Sequence, residues 1–204
     1  MTYSIAFYVQ IVRALDELDA PYMIVGAFGG SVFGIVRTTY DIDILVDLRD
    51  SDFDALSQKF PLPRYYADPE MMRSSVEMGI MFNIIDTGEG IKADLVPLRR
   101  EPGYEVAFER RVRRQFISPS GESFEAWVAQ PTDIIIGKLK AWDEGRSAKH
   151  PGDIYSMLVF DLRGFSDVSI DFDVIAKEAA RLSPETLKIW TDLLTRARSE
   201  AGGL

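Results

Sequence analysis

The chain has 204 residues, enough for one domain of ordinary size or for a domain with a small appendage. Apolar residues make up 47% of the sequence, which is ample for a buried core, and no apolar run approaches the roughly 20 residues that a membrane-spanning helix needs. Cysteine is absent and His150 is the only histidine, so disulfides, thiolate nucleophiles and metal sites built from several imidazole or thiolate ligands are excluded. Any bound metal must be held by oxygen ligands, which favours magnesium, manganese or calcium.

Acidic residues outnumber basic residues by 32 to 23, which gives a net charge of −9. A body this acidic disfavours non-specific nucleic-acid binding because it repels phosphate groups. The first eight residues lack the basic flank and the cleavage site of a secretory signal. We therefore expect a cytoplasmic protein that has no membrane partner.

Strand and helix patterns alternate over the first part of the chain. In order, we expect a helix over 3–18, a strand over 22–25, small residues over 26–31 that lead into a short helix ending near 34, and a strand over 41–47. Helices over 51–60 and 69–78 follow, then strands over 80–86 and 91–97 joined as a hairpin, and strands over 112–117 and 123–128. After Pro131 the pattern is helical, over 132–143, 152–160, 172–181 and 184–199.

This change of pattern predicts two parts of the chain. Residues 1–130 are expected to form a core made of a small mixed sheet flanked by helices, and residues 131–204 a helical C-terminal subdomain packed on that core. The predicted fold class is therefore α/β, or α+β.

Two carboxylates stand together in the strand predicted over 41–47. Because side chains alternate along a strand, Asp41 and Asp43 share one face, and Ile42, Ile44 and Val46 share the other. Paired carboxylates repel each other unless a positive charge joins them, and a hard divalent cation is the simplest candidate. A third carboxylate, Asp94, lies inside another apolar strand and could complete a site of three acids. Such a site favours phosphoryl or nucleotidyl transfer.

Residues that could hold phosphate precede the acid pair. Gly26 permits a tight turn after a buried strand, and the small residues up to Ser31 lead into a helix whose first amides can bind phosphate oxygens. Arg37 arrives just before the acids and could reach the same phosphates. Each signal also has a structural explanation, since many strands begin with polar residues. The acid pair would be purely structural if Asp41 and Asp43 formed salt bridges with Arg37 and Lys92.

Three further polar residues have two interpretations each. Lys138, on an apolar helix face, could contact phosphate or the acid site, or could be a lysine bonded to Asp133 or Asp153. Asn83, in an apolar strand, could face the pocket or satisfy a bulge. His150 could shuttle a proton or be a surface histidine at a helix start.

The order of these motifs resembles the signature of the DNA polymerase beta-like nucleotidyltransferase superfamily. That signature is a hydrophobic residue, glycine, then glycine or serine, a gap of about ten residues, and Asp-x-Asp or Asp-x-Glu. Here it corresponds to Val25-Gly26-Ala27, thirteen residues, and Asp41-Ile42-Asp43. Downstream features resemble the AbiEii-type branch, which includes bacterial toxin enzymes. The matching features are Lys92-Ala93-Asp94 for its Lys-x-Asp motif, Asp133 through Lys138 for its Asp-x(4)-Lys helix, and Arg146, Lys149 and Asp153 for its final cluster.

The resemblance implies a nucleotidyltransferase fold and transfer of an NMP from an NTP to an acceptor hydroxyl, with release of pyrophosphate. It implies Mg²⁺, or Mn²⁺, as the cofactor. The acceptor stays open between a tRNA end, a protein hydroxyl and a small molecule such as an aminoglycoside. The implied site has three metal-binding catalytic acids and four nucleotide contacts: Asp41, Asp43 and Asp94, then Gly26, Ser31, Arg37 and Lys138.

The chain departs from the family pattern in three places. Ala27 replaces the second glycine or serine, His150 stands where the family commonly has aspartate, and Pro151-Gly152 precedes Asp153. These departures support a second hypothesis. In it, the chain is a non-catalytic protein of the same fold that binds nucleotide or a protein partner, as a sensor or a toxin–antitoxin component.

Overall fold

A computed structural model gives the fold as a mixed sheet with helices. No helix in the part of the chain that the structure describes is both long and apolar enough to cross a bilayer. The described residues are 2–39, 41–100, 103–117, 121 and 123–203.

The chain forms two compact units. The first unit comprises residues 1–28 and 39–129 and contains the sheet. The second comprises residues 29–38 and 130–204 and is helical. Residues 29–38 lie between the first two strands in sequence and yet belong to the helical unit.

The first unit is built on a seven-stranded mixed sheet. Its strand order is β3-β4-β5-β2-β1-β7-β6, in which the pairs β2/β5 and β1/β7 are parallel and the other pairs are antiparallel. The strands are β1 (Tyr22–Val25), β2 (Ile42–Val46), β3 (Tyr65–Tyr66), β4 (Phe82–Asp86), β5 (Ile91–Pro97), β6 (Val112–Ile117) and β7 (Ser123–Val128).

Helices precede, interrupt and follow the strands. Those of the first unit are α1 (Thr2–Glu17), α3 (Asp50–Lys59), α4 (Pro69–Met78) and α5 (Glu105–Glu109), with a 3-10 turn at Leu98–Arg100. The short α2 (Gly26–Gly30) is followed by a 3-10 turn at Ser31–Phe33. The second unit holds α6 (Pro131–Gly145), α7 (Lys149–Leu162), α8 (Phe172–Leu182) and α9 (Pro184–Ala201).

Strand β2 lies at the centre of the sheet and is covered on both faces. Ile42 and Ile44, on one face, are fully buried, and Leu45, on the other, is also buried. Burying each such side chain contributes roughly 1.5–3 kcal/mol. Asp43 is the one half-buried residue of this strand. A carboxylate is thus held at a fixed position by the packing of its neighbours.

The second unit is a helical bundle. Helix α6 contacts α7 and α8, and α9 packs against both α7 and α8. Its core includes Leu158 of α7, Ile175 of α8 and Trp190 of α9, all of which are buried. Asp143 of α6 accepts a hydrogen bond from the hydroxyl of Ser183, which caps α9. Apolar packing and one polar cap therefore fix the helices of this unit.

The predicted order of elements and the predicted fold class are confirmed. The clearest difference is α7, which begins at Lys149 instead of the expected 152. Proline is tolerated in the first turn of a helix because its missing N–H would have no partner there, so Pro151 does not delay the start. The short β3 and α5 were not predicted, since two-residue and five-residue elements carry too little hydrophobic periodicity.

Candidate active site

Asp43 and Asp94 are direct neighbours on adjacent parallel strands. They are register partners in the pairing of β2 with β5, so their side chains leave the same face of the sheet. Asn83 of β4 is in turn the register partner of Asp94. The sheet thus brings together two of the three predicted acids and the polar strand residue in one row.

Gly26 closes one side of this row. Its φ is +67°, a conformation that favours glycine, and a Cβ built on it would lie 2.2 Å from Oδ2 of Asp43. The backbone at the end of β1 therefore comes directly against the carboxylate. Any side chain at residue 26 would displace the Asp43 carboxylate from its position.

Asp94 is only 8% exposed and is held by two donors. Nζ of Lys92 donates to its two oxygens at 2.8 and 2.9 Å, and Nδ2 of Asn83 donates to Oδ1 at 2.5 Å. The hydrogen bond to Asp94 raises the pKa of Lys92, and the charges of Asp94, Asp41 and Asp43 add to this increase. The sequence suggested that Lys92 could form a salt bridge with Asp41 or Asp43. The observed salt bridge of Lys92 is with Asp94, the third acid.

Tyr8 of α1 lies in the same neighbourhood and was not recognised from the sequence. Its side chain is 1% exposed, and burial raises its pKa to about 12, with further contributions from Asp41, Asp94 and Asp43. One hydroxyl group therefore feels all three carboxylates. The sequence carries no signal for this, because a tyrosine on the apolar face of a helix looks like an ordinary core residue.

Asp41 precedes β2 and is exposed, and its backbone carbonyl accepts a hydrogen bond from the hydroxyl of Thr39. Among the residues that the structure describes, no group of three acidic, histidine or cysteine side chains is arranged to hold a metal ion. Asp43 and Asp94 nevertheless supply the hard oxygen donors that Mg²⁺ or Mn²⁺ takes, on one face and in register. The pair suits such an ion in its chemistry, and Asp41 would have to move to complete the set.

The second unit contains a separate cluster of charges around Asp153 of α7, which is 3% exposed. Arg37 donates to its two oxygens at 2.7 and 2.8 Å, and Lys138, itself 5% exposed, donates at 2.6 Å. Burial alone would raise the pKa of Asp153, but these hydrogen bonds outweigh burial and lower it. The alternative in which Lys138 bonds to Asp153 is thus the observed one, and two predicted nucleotide contacts meet on one carboxylate.

His150, the second residue of α7, is half-buried and not fully exposed at the surface. Its Nδ1 is buried and has no hydrogen-bond partner among the described residues. Burial lowers its pKa, and the positive charges of Lys138 and Lys149 lower it further. The imidazole is therefore neutral at neutral pH.

Ser31 lies at a different place in the second unit. It lines a largely apolar cavity of about 380 Å³, together with Val36, Phe160 and Phe165. Gly34 carries the turn against α7 with φ +100°, and a Cβ on it would meet Phe160 at 2.5 Å. Ser31 thus lies in the wall of this cavity, whereas Arg37 and Lys138 are hydrogen-bonded to Asp153.

No protein-family model matches the sequence, and no curated protein matches it. Similar solved structures include JHP933 from Helicobacter pylori, with 13% identity, a TM-score of 0.48, and coverage of 98% of this chain and 92% of that one. The antibiotic-resistance factor ANT(2'')-Ia has 15% identity, a TM-score of 0.45, and coverage of 100% and 96%. An antigenic nucleotidyltransferase-like protein from Paracoccidioides brasiliensis has 14% identity, a TM-score of 0.49, and coverage of 92% of each chain.

Proposed function

We propose that this chain is a metal-dependent nucleotidyltransferase that moves an NMP from an NTP to an acceptor hydroxyl and releases pyrophosphate. One observation carries the proposal: Asp43 and Asp94 stand in register on neighbouring parallel strands, against a glycine that leaves no room for a side chain. Two carboxylates that share one face of a sheet repel each other, and a divalent cation between them would offset the charge of both. A divalent ion and a nucleotide phosphate account for both features.

The three acids have distinct proposed roles. Asp41, Asp43 and Asp94 are the proposed ligands of Mg²⁺ or Mn²⁺, which when bound would neutralise charge on the phosphates and align the displacement. Asp94 accepts the proton of the acceptor hydroxyl. The hydroxyl oxygen then bonds to the α-phosphorus while the bond from that phosphorus to the pyrophosphate oxygen breaks. The backbone that begins α2 at Gly26 offers amides for phosphate oxygens.

Arg37 and Lys138 are proposed nucleotide contacts. Both are cationic side chains, and both are bonded to Asp153. A guanidinium group can bind phosphate through two parallel hydrogen bonds. Ser31 stays a proposed contact through its hydroxyl. The acceptor is a tRNA end, a protein hydroxyl or a small molecule.

A transfer assay tests the reaction directly. NTPs labelled in the α-phosphate are incubated with Mg²⁺ and one of three acceptor pools, namely total tRNA, cell protein and hydroxyl-rich small molecules such as aminoglycosides. We expect wild type to label one pool and Asp43→Asn to lose at least about 100-fold in rate. Asp47→Asn is the matched control, since Asp47 is an exposed acid at the other end of β2. Equal labelling by wild type and Asp43→Asn would contradict the assignment.

A second candidate function is a non-catalytic protein that binds nucleotide or a protein partner. The observation that favours it is the internal pairing of the charges: Lys92 is bonded to Asp94, and Arg37 and Lys138 to Asp153. Such pairs stabilise a chain without any ligand. The two candidates differ in one result, because a sensor binds the NTP with no transfer to any of the three pools.

A further inference from the structure

Lys92 lies within the acid site. It precedes Asp94 by two residues on β5, so both side chains leave the same face of the sheet, which is also the face of Asp43. Its ammonium group donates a hydrogen bond to each of the two carboxylate oxygens of Asp94. Lysine therefore takes the position in front of Asp94 from which a cation would bind that carboxylate.

The charge of Lys92 acts on more than one acid. The hydrogen bond to Asp94 raises its pKa most, and the charges of Asp41 and Asp43 raise it too. The ammonium group of Lys92 thus offsets charge on all three carboxylates. Asn83 also holds Asp94, but its amide is neutral and supplies orientation without charge.

We propose that Lys92 is the resident counter-ion of the acid site, whose ammonium group occupies Asp94 until a divalent cation displaces it. This inference rests on the proposed function, because it needs the acids to bind a metal. Among the described residues no three acids form a ready metal site, and the best buried of the proposed ligands, Asp94, is bonded to this ammonium group.

Displacement is physically feasible for this side chain. Lys92 is 43% exposed, and its flexible four-carbon stem can swing into solvent without disturbing the buried strand. A divalent ion brings two charges to the acids in place of one, whereas leaving both cations together would set like charges against each other. In wild type, metal binding therefore breaks the Lys92–Asp94 salt bridge, and this lowers the affinity for the metal.

Calorimetric titration with Mn²⁺ alone, without nucleotide, tests this competition. Lys92→Met removes the competing charge and is expected to bind Mn²⁺ about tenfold more tightly than wild type. Lys92→Arg keeps the charge and is expected to bind no more tightly than wild type. The matched control is Lys59→Met, which also removes one positive charge from the first unit, but from a pair with Glu17 on α1. Its affinity should equal that of wild type.

Thermal unfolding supplies a second readout without metal. In chelator, Lys92→Met should unfold at a lower temperature than wild type, because three carboxylates lose their compensation. With Mn²⁺ added, the gain in Tm should be larger for Lys92→Met than for wild type. A gain in Tm no larger than that of wild type would contradict the inference.

Wild type provides a test that needs no variant. Acylation of lysines by an amine-reactive ester, measured residue by residue by mass spectrometry, should accelerate several-fold at Lys92 when Mn²⁺ is added. Lys59 should react at an unchanged rate. The inference is overturned if Mn²⁺ binds to wild type while Lys92 keeps its slow reaction, and equally if Lys92→Met binds with wild-type affinity. If neither protein binds Mn²⁺, the metal site of the proposed function fails, and the inference fails with it.

Discussion

Gly26 and Asp43 come so close that only hydrogen fits between the glycine backbone and the carboxylate: a Cβ on Gly26 would lie 2.2 Å from Oδ2 of Asp43. The atom in the way is the end of a side chain that can rotate. A methyl group at residue 26 would therefore move the carboxylate more readily than the sheet. A substitution at Gly26 should therefore weaken Mn²⁺ binding more than it lowers the stability of the fold.

Gly90 offers a matched comparison, since its φ is also +67° but nothing lies within 4 Å of its Cβ position. Gly26→Ala and Gly90→Ala should both lose about 1 kcal/mol in the free energy of unfolding, from the positive φ alone. Only Gly26→Ala should weaken Mn²⁺ binding, because only there is a carboxylate displaced. Urea denaturation and calorimetric titration measure the two effects. Equal Mn²⁺ affinity in the two variants would contradict the role given to Gly26.

The sequence predicted the acids better than it predicted their neighbours. Alternation along the strand was enough to propose Asp43 as a site residue, and an acid in an apolar strand was enough to propose Asp94. Their register was beyond reach, because β2 and β5 are separated by more than forty residues and their pairing depends on the whole sheet. Tyr8 could not be recognised, since its hydroxyl comes near the three acids only after α1 packs on the sheet.

The second unit shows the same limit for charged residues. The sequence singled out Lys138 as a costly buried lysine and named Asp153 as one of two structural partners. It also proposed Arg37 as a phosphate contact. It could not show that Arg37 and Lys138 share one carboxylate, because Arg37 is 116 residues away from Asp153 in the chain. Local patterns locate polar residues, whereas long-range packing decides how they pair.

Asp153 should be the most sensitive acid of the helical unit. Asp153→Asn removes one charged partner of the buried Lys138, and breaking a buried charge pair costs about 3 kcal/mol of unfolding free energy. Glu185→Gln is the control, because it breaks an exposed pair with Arg146 and should cost less than about 1 kcal/mol. Urea denaturation at neutral pH compares the two. A loss for Asp153→Asn as small as that of the control would show that the cluster is not a buried charge network.

His150 should make stability depend on pH. Burial and the charges of Lys138 and Lys149 hold the pKa of the folded imidazole below its ordinary value of about 6.5. As the pH falls through about 6.5, the imidazole of the unfolded chain takes up a proton that the imidazole of the folded chain does not. The contribution of His150 to stability is therefore present above this pH and is lost as the pH falls through the lower pKa of the folded chain. His150→Gln removes this titration. Wild type should therefore lose more unfolding free energy than His150→Gln between pH 8 and 5.5, and parallel pH profiles would contradict the assignment.

Tyr8 should stay protonated in alkali. Its pKa of about 12 means that its hydroxyl contributes little phenolate at pH 11 in the folded chain. The ultraviolet absorbance of phenolate in wild type and in Tyr8→Phe should therefore rise by nearly the same amount up to about pH 11. In denaturant, the rise in phenolate absorbance should be smaller for Tyr8→Phe than for wild type, by the amount that one tyrosine contributes. A shortfall of that size in the folded protein would place Tyr8 in solvent, away from the three acids.

Thermal unfolding with nucleotides tests most directly whether Asp43 and Asp94 form a metal-dependent nucleotide site. Wild type, Asp43→Asn and Asp47→Asn are each heated with the four NTPs, in Mg²⁺ and in chelator. A ligand at about one hundred times its Kd stabilises the native state by about 2.7 kcal/mol, which corresponds to a rise in Tm of roughly 5 °C or more. We expect that rise for wild type and Asp47→Asn, in Mg²⁺ only, and its loss in Asp43→Asn. A rise that persists in chelator or in Asp43→Asn, or no rise with any NTP, would contradict it.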